Sequence, residues 1–188
     1  MNPETDDDVG LMQRCLAGEE AALRAFVDRY QGLVFALCFR MLSHRQDAED
    51  TTQETLLRAI RHLGQWEPAR PFKPWLLAIA ANRCRTRLGQ RSRKPVELGD
   101  RAPDVAAPAE PQALSEELQR AVGGLRDDYR LCFVMFYQQE LSVQEIAETL
   151  KCPEGTIKTW LYRARKQIAN ELVERGVVDR DGYELHGL

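Results

Sequence analysis

The stretch Leu141–Leu172 constrains this chain more than any other. It spells two helices joined by a tight turn, the second carrying a cationic stripe. Ser142 is a good N-cap and Glu145 follows at the third position after it, which makes a capping box. Val143, Ile146, Ala147 and Leu150 repeat at three and four residues and so share one apolar face. Lys151-Cys152-Pro153 breaks that helix, and Pro153 suits the entry to the next. There Ile157, Leu161, Ala164 and Ile168 face inward, while Lys158, Arg163, Arg165 and Lys166 occupy other faces with no acid between Gly155 and Asn170. A short helix, a turn and a longer basic helix form the helix-turn-helix layout, whose second helix reads the major groove. An ordinary helical hairpin with a solvated basic face is the competing reading.

Length and composition narrow what surrounds this unit. With 188 residues there is room for one large or two small domains. A hydrophobic content of 44% is globular, and no apolar run reaches the length of a membrane span, so no membrane insertion is expected. The acidic start (Glu4, Asp6, Asp7, Asp8) is unlike a signal peptide. Cys15, Cys38, Cys84, Cys132 and Cys152 contain no C-x-x-C pair, and their odd count and wide spacing argue against a disulfide framework or a zinc site. His44, His62 and His186 have no ligand-like spacing either. No carboxylate pair, nucleophile elbow or phosphate-binding glycine loop stands out. The expectation is a cytoplasmic protein without metal or cofactor, and not an enzyme.

The net charge of −3 is wrong for a chain that binds DNA unaided, because phosphate contacts dominate non-specific affinity. Distribution matters more. Arg83, Arg85, Arg87, Arg91, Arg93 and Lys94 form a basic run with no acid inside it, whereas acids gather at the N-terminus, in Asp47–Glu54 and in Glu97–Glu117. Such a chain is expected to bind DNA weakly alone and better when something else holds it there.

Periodicity elsewhere is helical, and the fold expected is all-α. Helices are predicted over Val9–Ala17, Glu20–Leu42, Gln46–Leu63, Phe72–Leu88, Ala113–Gly123 and Asp127–Gln139. Leu23, Phe26, Val27, Tyr30, Val34, Leu37, Cys38 and Met41 mark the buried stripe of the second, and Ser43 with Gln46 is the expected cap of the third. Trp75, Leu76, Ile79 and Ala80 should pack inward. Leu118, Val122, Leu125, Tyr129, Cys132, Phe133 and Phe136 should build the core around the final pair. Four of the nine prolines fall between Pro95 and Pro111, among alanines and acids, which reads as a flexible linker. The divisions are residues 9–94, a linker over 95–113, a second domain over 114–173 and a short tail over 174–188.

Three groups of residues carry a resemblance. Asp47-Ala48-Glu49-Asp50-Thr51-Thr52-Gln53-Glu54-Thr55, then Phe72-x-x-Trp75-Leu76, then Ala81-Asn82-Arg83, resembles the extracytoplasmic-function sigma factors of the sigma-70 family. Leu141-Ser142-x-x-Glu145-Ile146-Ala147 with Gly155-Thr156-Ile157-Lys158 and Arg163-Ala164-Arg165 is similar to that family's C-terminal domain. The resemblance implies an alternative sigma factor that directs RNA polymerase to promoters, with a region 2-like and a region 4-like domain. It implies that Asp47, Asp50, Gln53 and Glu54 dock on the β′ clamp of core polymerase, and that the second domain meets the β flap. It implies that Trp66, Arg70, Asn82, Arg83 and Arg85 engage the −10 element, by stacking of a splayed base, hydrogen bonding and phosphate contacts. Lys158, Thr159, Tyr162, Arg163 and Arg165 fall to the −35 element. An anti-sigma factor is the further partner implied. Trp160 departs from the family pattern, which usually has a basic residue there; an indole cannot neutralise a phosphate. Acids in the first turn of a helix are also stabilising in themselves, but neither capping nor the helix dipole explains Gln53. The alternative from another class is a free-standing helix-turn-helix repressor or activator, which usually dimerises on a palindrome.

The linker composition predicts that limited proteolysis of the free chain cuts first between Pro95 and Pro111 and releases two folded pieces. Equal resistance along the whole chain would contradict that reading.

Overall fold

A computed structural model describes residues 3–93 and 111–178. Every regular element among the described residues is a helix, as the periodicity predicts. The chain divides into two compact units, residues 1–99 and 100–188. The linker expected over 95–113 falls mostly on residues 94–110, and most of the tail over 174–188 on residues 179–188, both outside the described residues.

The first unit holds α1 (Pro3–Leu16), α2 (Glu20–Leu42), α3 (Arg45–Arg61), a 3-10 turn at Leu63–Gln65, and α4 (Phe72–Arg93). Helix α2 is its spine and packs against α1, α3 and α4. Its buried stripe is Ala22, Phe26, Tyr30, Val34, Leu37, Cys38, Met41 and Leu42, with Leu23 and Val27 half-buried at the margin. Phe26, Tyr30 and Phe72 form a cluster of rings with centroids 5.0–5.9 Å apart, distances at which aromatic pairs add to plain area burial.

Helix α1 begins at Pro3, well before the expected Val9. Two of the acids that hide its start from a hydrophobic pattern, Asp7 and Asp8, make tertiary contacts. Asp7 pairs with Arg29 at 2.6 Å and Asp8 accepts a hydrogen bond from the Tyr30 hydroxyl. Burial first, and the Asp8 carboxylate second, hold the Tyr30 phenol far above its ordinary ionisation range. The third helix is also entered differently from the expectation. Ser43 does not cap it; it closes α2 in the left-handed conformation (φ 51°), its N–H bonded to the Phe39 carbonyl at 2.9 Å. The N-cap of α3 is His44, whose Nδ1 accepts from the Asp47 N–H at 3.3 Å. Imidazole is not a usual cap, so a pattern of hydroxyls and carboxamides passes over it.

The second unit holds α5 (Pro111–Gly123), α6 (Asp127–Tyr137), α7 (Val143–Leu150) and α8 (Glu154–Glu174), with α8 packed on the other three. Val122, Leu125, Cys132, Phe133, Ile146, Ile157, Leu161, Ala164 and Ile168 are buried together with Leu131, Val134 and Met135. Leu118, expected in this core, is 39% exposed, and Tyr129 and Phe136 are half-buried. The helix-turn-helix geometry is built locally. Ser142 Oγ accepts from the Glu145 N–H at 3.2 Å while the Glu145 carboxylate accepts from the Ser142 N–H at 2.8 Å. Lys151 then ends α7 at φ 54°, and the Cys152 N–H reaches the Ala147 carbonyl at 3.0 Å. A side chain at positive φ carries steric cost that glycine avoids.

Two substitutions with opposite signs test this unit. Ser142→Ala should lower stability by about 1 kcal/mol, the usual cost of losing a cap. Lys151→Gly should raise it by roughly 0.5–1 kcal/mol by relieving the left-handed backbone. Urea unfolding followed by circular dichroism measures both; shifts of the same sign would contradict the geometry.

Candidate nucleic-acid interface

The basic run lies on the second half of α4, and its arginines divide by helical spacing. Arg83, Arg87 and Arg91 recur every four residues on one face, and that face meets α3. Asp47 is the hub. One of its carboxylate oxygens accepts from Arg87 at 2.7 Å, the other from Arg91, and Arg91 also donates to the Leu42 carbonyl at 2.8 Å. Asp50 stands 3.6 Å from Arg87. Glu54 takes both Nε (3.0 Å) and a terminal nitrogen of Arg83. Three of the acids expected to meet polymerase, Asp47, Asp50 and Glu54, therefore face arginines of the basic run along a ladder, and one of those arginines, Arg83, is also expected at the −10 element. The side chain of Asp47 is 19% exposed and held within this ladder. Arg83 is likewise committed to Glu54. Asn82 is exposed and Arg85 half-buried; three residues apart on α4, they share a face away from the ladder.

The same stretch of α3 explains its three threonines. Thr51, Thr52 and Thr55 are buried, and the hydroxyls of Thr52 and Thr55 donate to the carbonyls of Ala48 and Thr51, each at 2.7 Å. Back-bonding of this kind satisfies a hydroxyl inside a helix without a tertiary partner. Threonines in, carboxylates and amide out: Asp50, Gln53, Glu54 and the 47% exposed Leu57 make the outer stripe.

The two tryptophans of this unit exchange their expected places. Trp66 is 7% exposed, stands edge-on to Phe72 with centroids 5.3 Å apart, and donates its indole N–H to the Arg70 carbonyl at 3.1 Å. It anchors the loop and offers no free face for stacking a base. Trp75, expected in the core, is half-exposed against Phe72 at 5.4 Å. Ile79 is also half-buried, and Leu77 takes the inward place. Arg70 is exposed and pairs with Glu67 at 3.1 Å.

On α8 the exposed stripe is Lys158, Thr159, Tyr162, Arg163 and Lys166. Lys158 lies 3.8 Å from Glu154, Thr159 donates to the Gly155 carbonyl at 2.8 Å, and Arg163 donates to the Tyr129 hydroxyl at 3.0 Å. Tyr162 is 47% exposed and projects from the middle of the stripe. Arg165 is not on it: the side chain is half-buried and its Nε is enclosed. Lys166, one turn beyond Tyr162, takes its place. Trp160 is half-buried at three and four residues from the core positions Ile157 and Ala164, which puts it on the flank of the helix. Among the described residues no group of three His, Cys, Asp or Glu side chains is placed to hold a metal, and no helix is long and apolar enough to cross a membrane.

Against known proteins, two family models match in order. Sigma-70 region 2 covers residues 26–94 and Sigma-70 region 4 covers residues 115–168. The chain is similar to the ECF RNA polymerase sigma-E factor of Haemophilus influenzae, with 31% identity over 88% of this chain and 95% of that one. It is similar to the ECF RNA polymerase sigma factor SigW of Bacillus subtilis, with 32% identity over 82% and 91%. Its fold resembles that of CnrH, solved in complex with the cytosolic domain of CnrY (TM-score 0.65, 24% identity, 87% and 96% covered). It also resembles the sigma factor RpoE of Bartonella quintana, solved with the anti-sigma factor NepR (TM-score 0.66, 23% identity, 84% and 98% covered).

The ladder predicts a graded response to charge removal. Asp47→Asn removes the acid that Arg87 and Arg91 share and should cost roughly 1–3 kcal/mol, between the values for exposed and buried pairs. Asp50→Asn, at a longer and more exposed pair, should cost under about 0.5 kcal/mol. Chemical unfolding of the two variants reads the difference; equal costs would remove Asp47 as the hub.

Proposed function

This chain belongs to the extracytoplasmic-function sigma factors of the sigma-70 family, and from that premise we propose which of its surfaces performs each part of the work. A sigma factor directs RNA polymerase to promoters and is not itself an enzyme. The observation that carries the assignment is the pairing of two family segments, in order, with two exposed polar stripes on α3 and α8.

Residues 9–94 are the polymerase and −10 unit. The outer stripe of α3, Asp50 and Gln53 with Glu54 at its margin and Leu57 beside them, docks on the β′ clamp. Gln53 supports this reading because it is exposed and satisfies no cap. At the −10 element the half-exposed Trp75 supplies the aromatic face in place of the buried Trp66, Asn82 meets a base edge, and Arg70 and Arg85 approach phosphates. Arg83 contributes when its pairing with Glu54 opens.

Residues 114–173 are the −35 unit, and 95–113 tether it to the first. Lys158, Thr159 and Tyr162 face the major groove, where lysine, hydroxyl and aromatic groups meet base edges and thymine methyls, and Arg163 and Lys166 flank them. The flank position of Trp160 favours a protein-facing role over a base contact. The β flap of polymerase is the partner proposed for this unit. CnrH and RpoE were each solved with a second protein, for RpoE a named anti-sigma factor, which supports an anti-sigma partner for this chain as well. The site of action is the cytoplasm, where core polymerase and promoter DNA are found. A free-standing repressor leaves the region 2 match and the α3 stripe without a purpose.

Glu54→Arg would set two guanidinium groups against each other at Arg83, so the cleaner variant for docking is Asp50→Ala with Gln53→Ala. It should weaken binding to purified core polymerase at least about tenfold, the equivalent of 1.4 kcal/mol, with the melting temperature near wild type. Lys158→Ala and Tyr162→Ala should leave core binding alone and reduce run-off transcription by the roughly 1–3 kcal/mol of a base contact. Wild-type core affinity in the first variant would place the docking surface elsewhere.

A further inference from the structure

Cys38 on α2 and Cys84 on α4 lie 46 residues apart in sequence, yet their Sγ atoms stand 3.7 Å apart in the core of the first unit. Both side chains are fully buried. The wide spacing that argues against a disulfide framework is closed by the packing of α2 on α4. Of the other cysteines, Cys15 is buried on α1, Cys132 is buried in the second unit, and Cys152 is half-exposed with its thiol toward the Leu150 carbonyl at 3.4 Å.

We propose that Cys38 and Cys84 are a redox-active thiol pair that hydrogen peroxide converts to a disulfide stapling α2 to α4. The chemistry balances with that oxidant alone. The Cys38 sulfur attacks one peroxide oxygen, an S–O bond forms, the O–O bond breaks and hydroxide leaves. The Cys84 sulfur then attacks the Cys38 sulfur, the S–S bond forms, the S–O bond breaks and the second oxygen departs. The two thiol protons end on the two oxygens, so two thiols and one peroxide give one disulfide and two waters. The Cys84 thiol donates toward the Cys38 sulfur at 3.7 Å, which lowers the Cys38 pKa against the opposing effect of burial and favours Cys38 as the attacking sulfur; exchanging the two roles gives the same disulfide. Thr52 also lies beside Cys38, but its hydroxyl proton is committed to the Ala48 carbonyl at 2.7 Å, so Cys84 is the donor that counts.

Forming the bond requires the sulfurs to approach from 3.7 Å to about 2.05 Å. Rotation about the two Cα–Cβ bonds, with an approach of the helices, is the movement the bond requires. Because both sulfurs are buried, oxidation waits on a local opening of α4 from α2 and is slower than attack on Cys152. In a reducing compartment the pair rests as thiols, and a thiol reductant returns it there. Cys84 sits between Arg83 and Arg85, so the staple would fix α4 at the residues proposed for promoter contact. The bond itself does not depend on that proposal.

The test is peroxide treatment of the reduced, folded full chain, followed by alkylation of remaining thiols and peptide mapping by mass spectrometry. The expected product is a monomer in which the Cys38 and Cys84 peptides are joined, separable by reductant, with a melting temperature raised by roughly 10 °C. Cys84→Ser should leave Cys38 unjoined; if that variant misfolds, the wild-type map decides alone. Recovery of both residues as alkylated thiols, or a disulfide from either to Cys15, Cys132 or Cys152, would overturn the proposal.

Discussion

The ion-pair ladder between α3 and α4 governs how the first unit can act. Asp47 joins Arg87 and Arg91, and Glu54 joins Arg83, so three of the arginines in the basic run are neutralised inside the protein. Pairs this exposed contribute little each, but Asp47 is mostly buried and serves two partners. The ladder holds α4 in register with α3 and leaves Asn82 and Arg85 on a face of α4 outside it. It also lowers the number of phosphates the free chain can neutralise, which is consistent with a net charge of −3 on a DNA-binding protein. The polymerase docking proposed for the α3 stripe and the DNA contact proposed for α4 thus involve helices that already share charges.

The second unit depends on local chemistry instead. The Ser142–Glu145 capping box, the left-handed Lys151 and the core stripe of α8 set the angle at which the recognition helix emerges. Each of these follows from adjacent residues, and the helix pair was legible in the sequence for that reason. What periodicity alone resolves less well is the boundary between the exposed stripe and its flanks. Arg165 and Lys166 are neighbours of the same sign, one half-buried and the other exposed, and only the packing against the remaining helices separates them.

The same division holds across the fold. Helix α2 runs over the predicted residues because its apolar stripe is continuous. The start of α1 and the far end of α4 escape a hydrophobic pattern because acids and arginines make their tertiary contacts. Ser43 has the chemistry of a cap and serves the helix before it, while His44, a poor cap by statistics, serves the next. Trp66 and Trp75 could not be sorted by spacing: the loop folds back so that the Arg70 carbonyl takes the Trp66 indole N–H, and Phe72 lies between the two rings. The candidate site was visible as residue types; which of them face each other was not. The pairing of Asp47 with residues 40 and 44 positions away is a property of helix packing alone.

As a sigma factor, this chain reads promoters as a polymerase subunit and not as a free DNA-binding protein. The most direct measurement compares the free chain with its complex with core polymerase on the same promoter fragment, by anisotropy and footprinting over a range of salt. The predicted result for the free chain is weak binding without sequence preference, with a slope of log affinity against log salt reflecting only a few phosphates at about −0.9 each. The complex should protect both promoter elements and lose the −35 protection with single base changes there. Tight, sequence-specific binding by the free chain at physiological salt, above all to a palindrome, would contradict it.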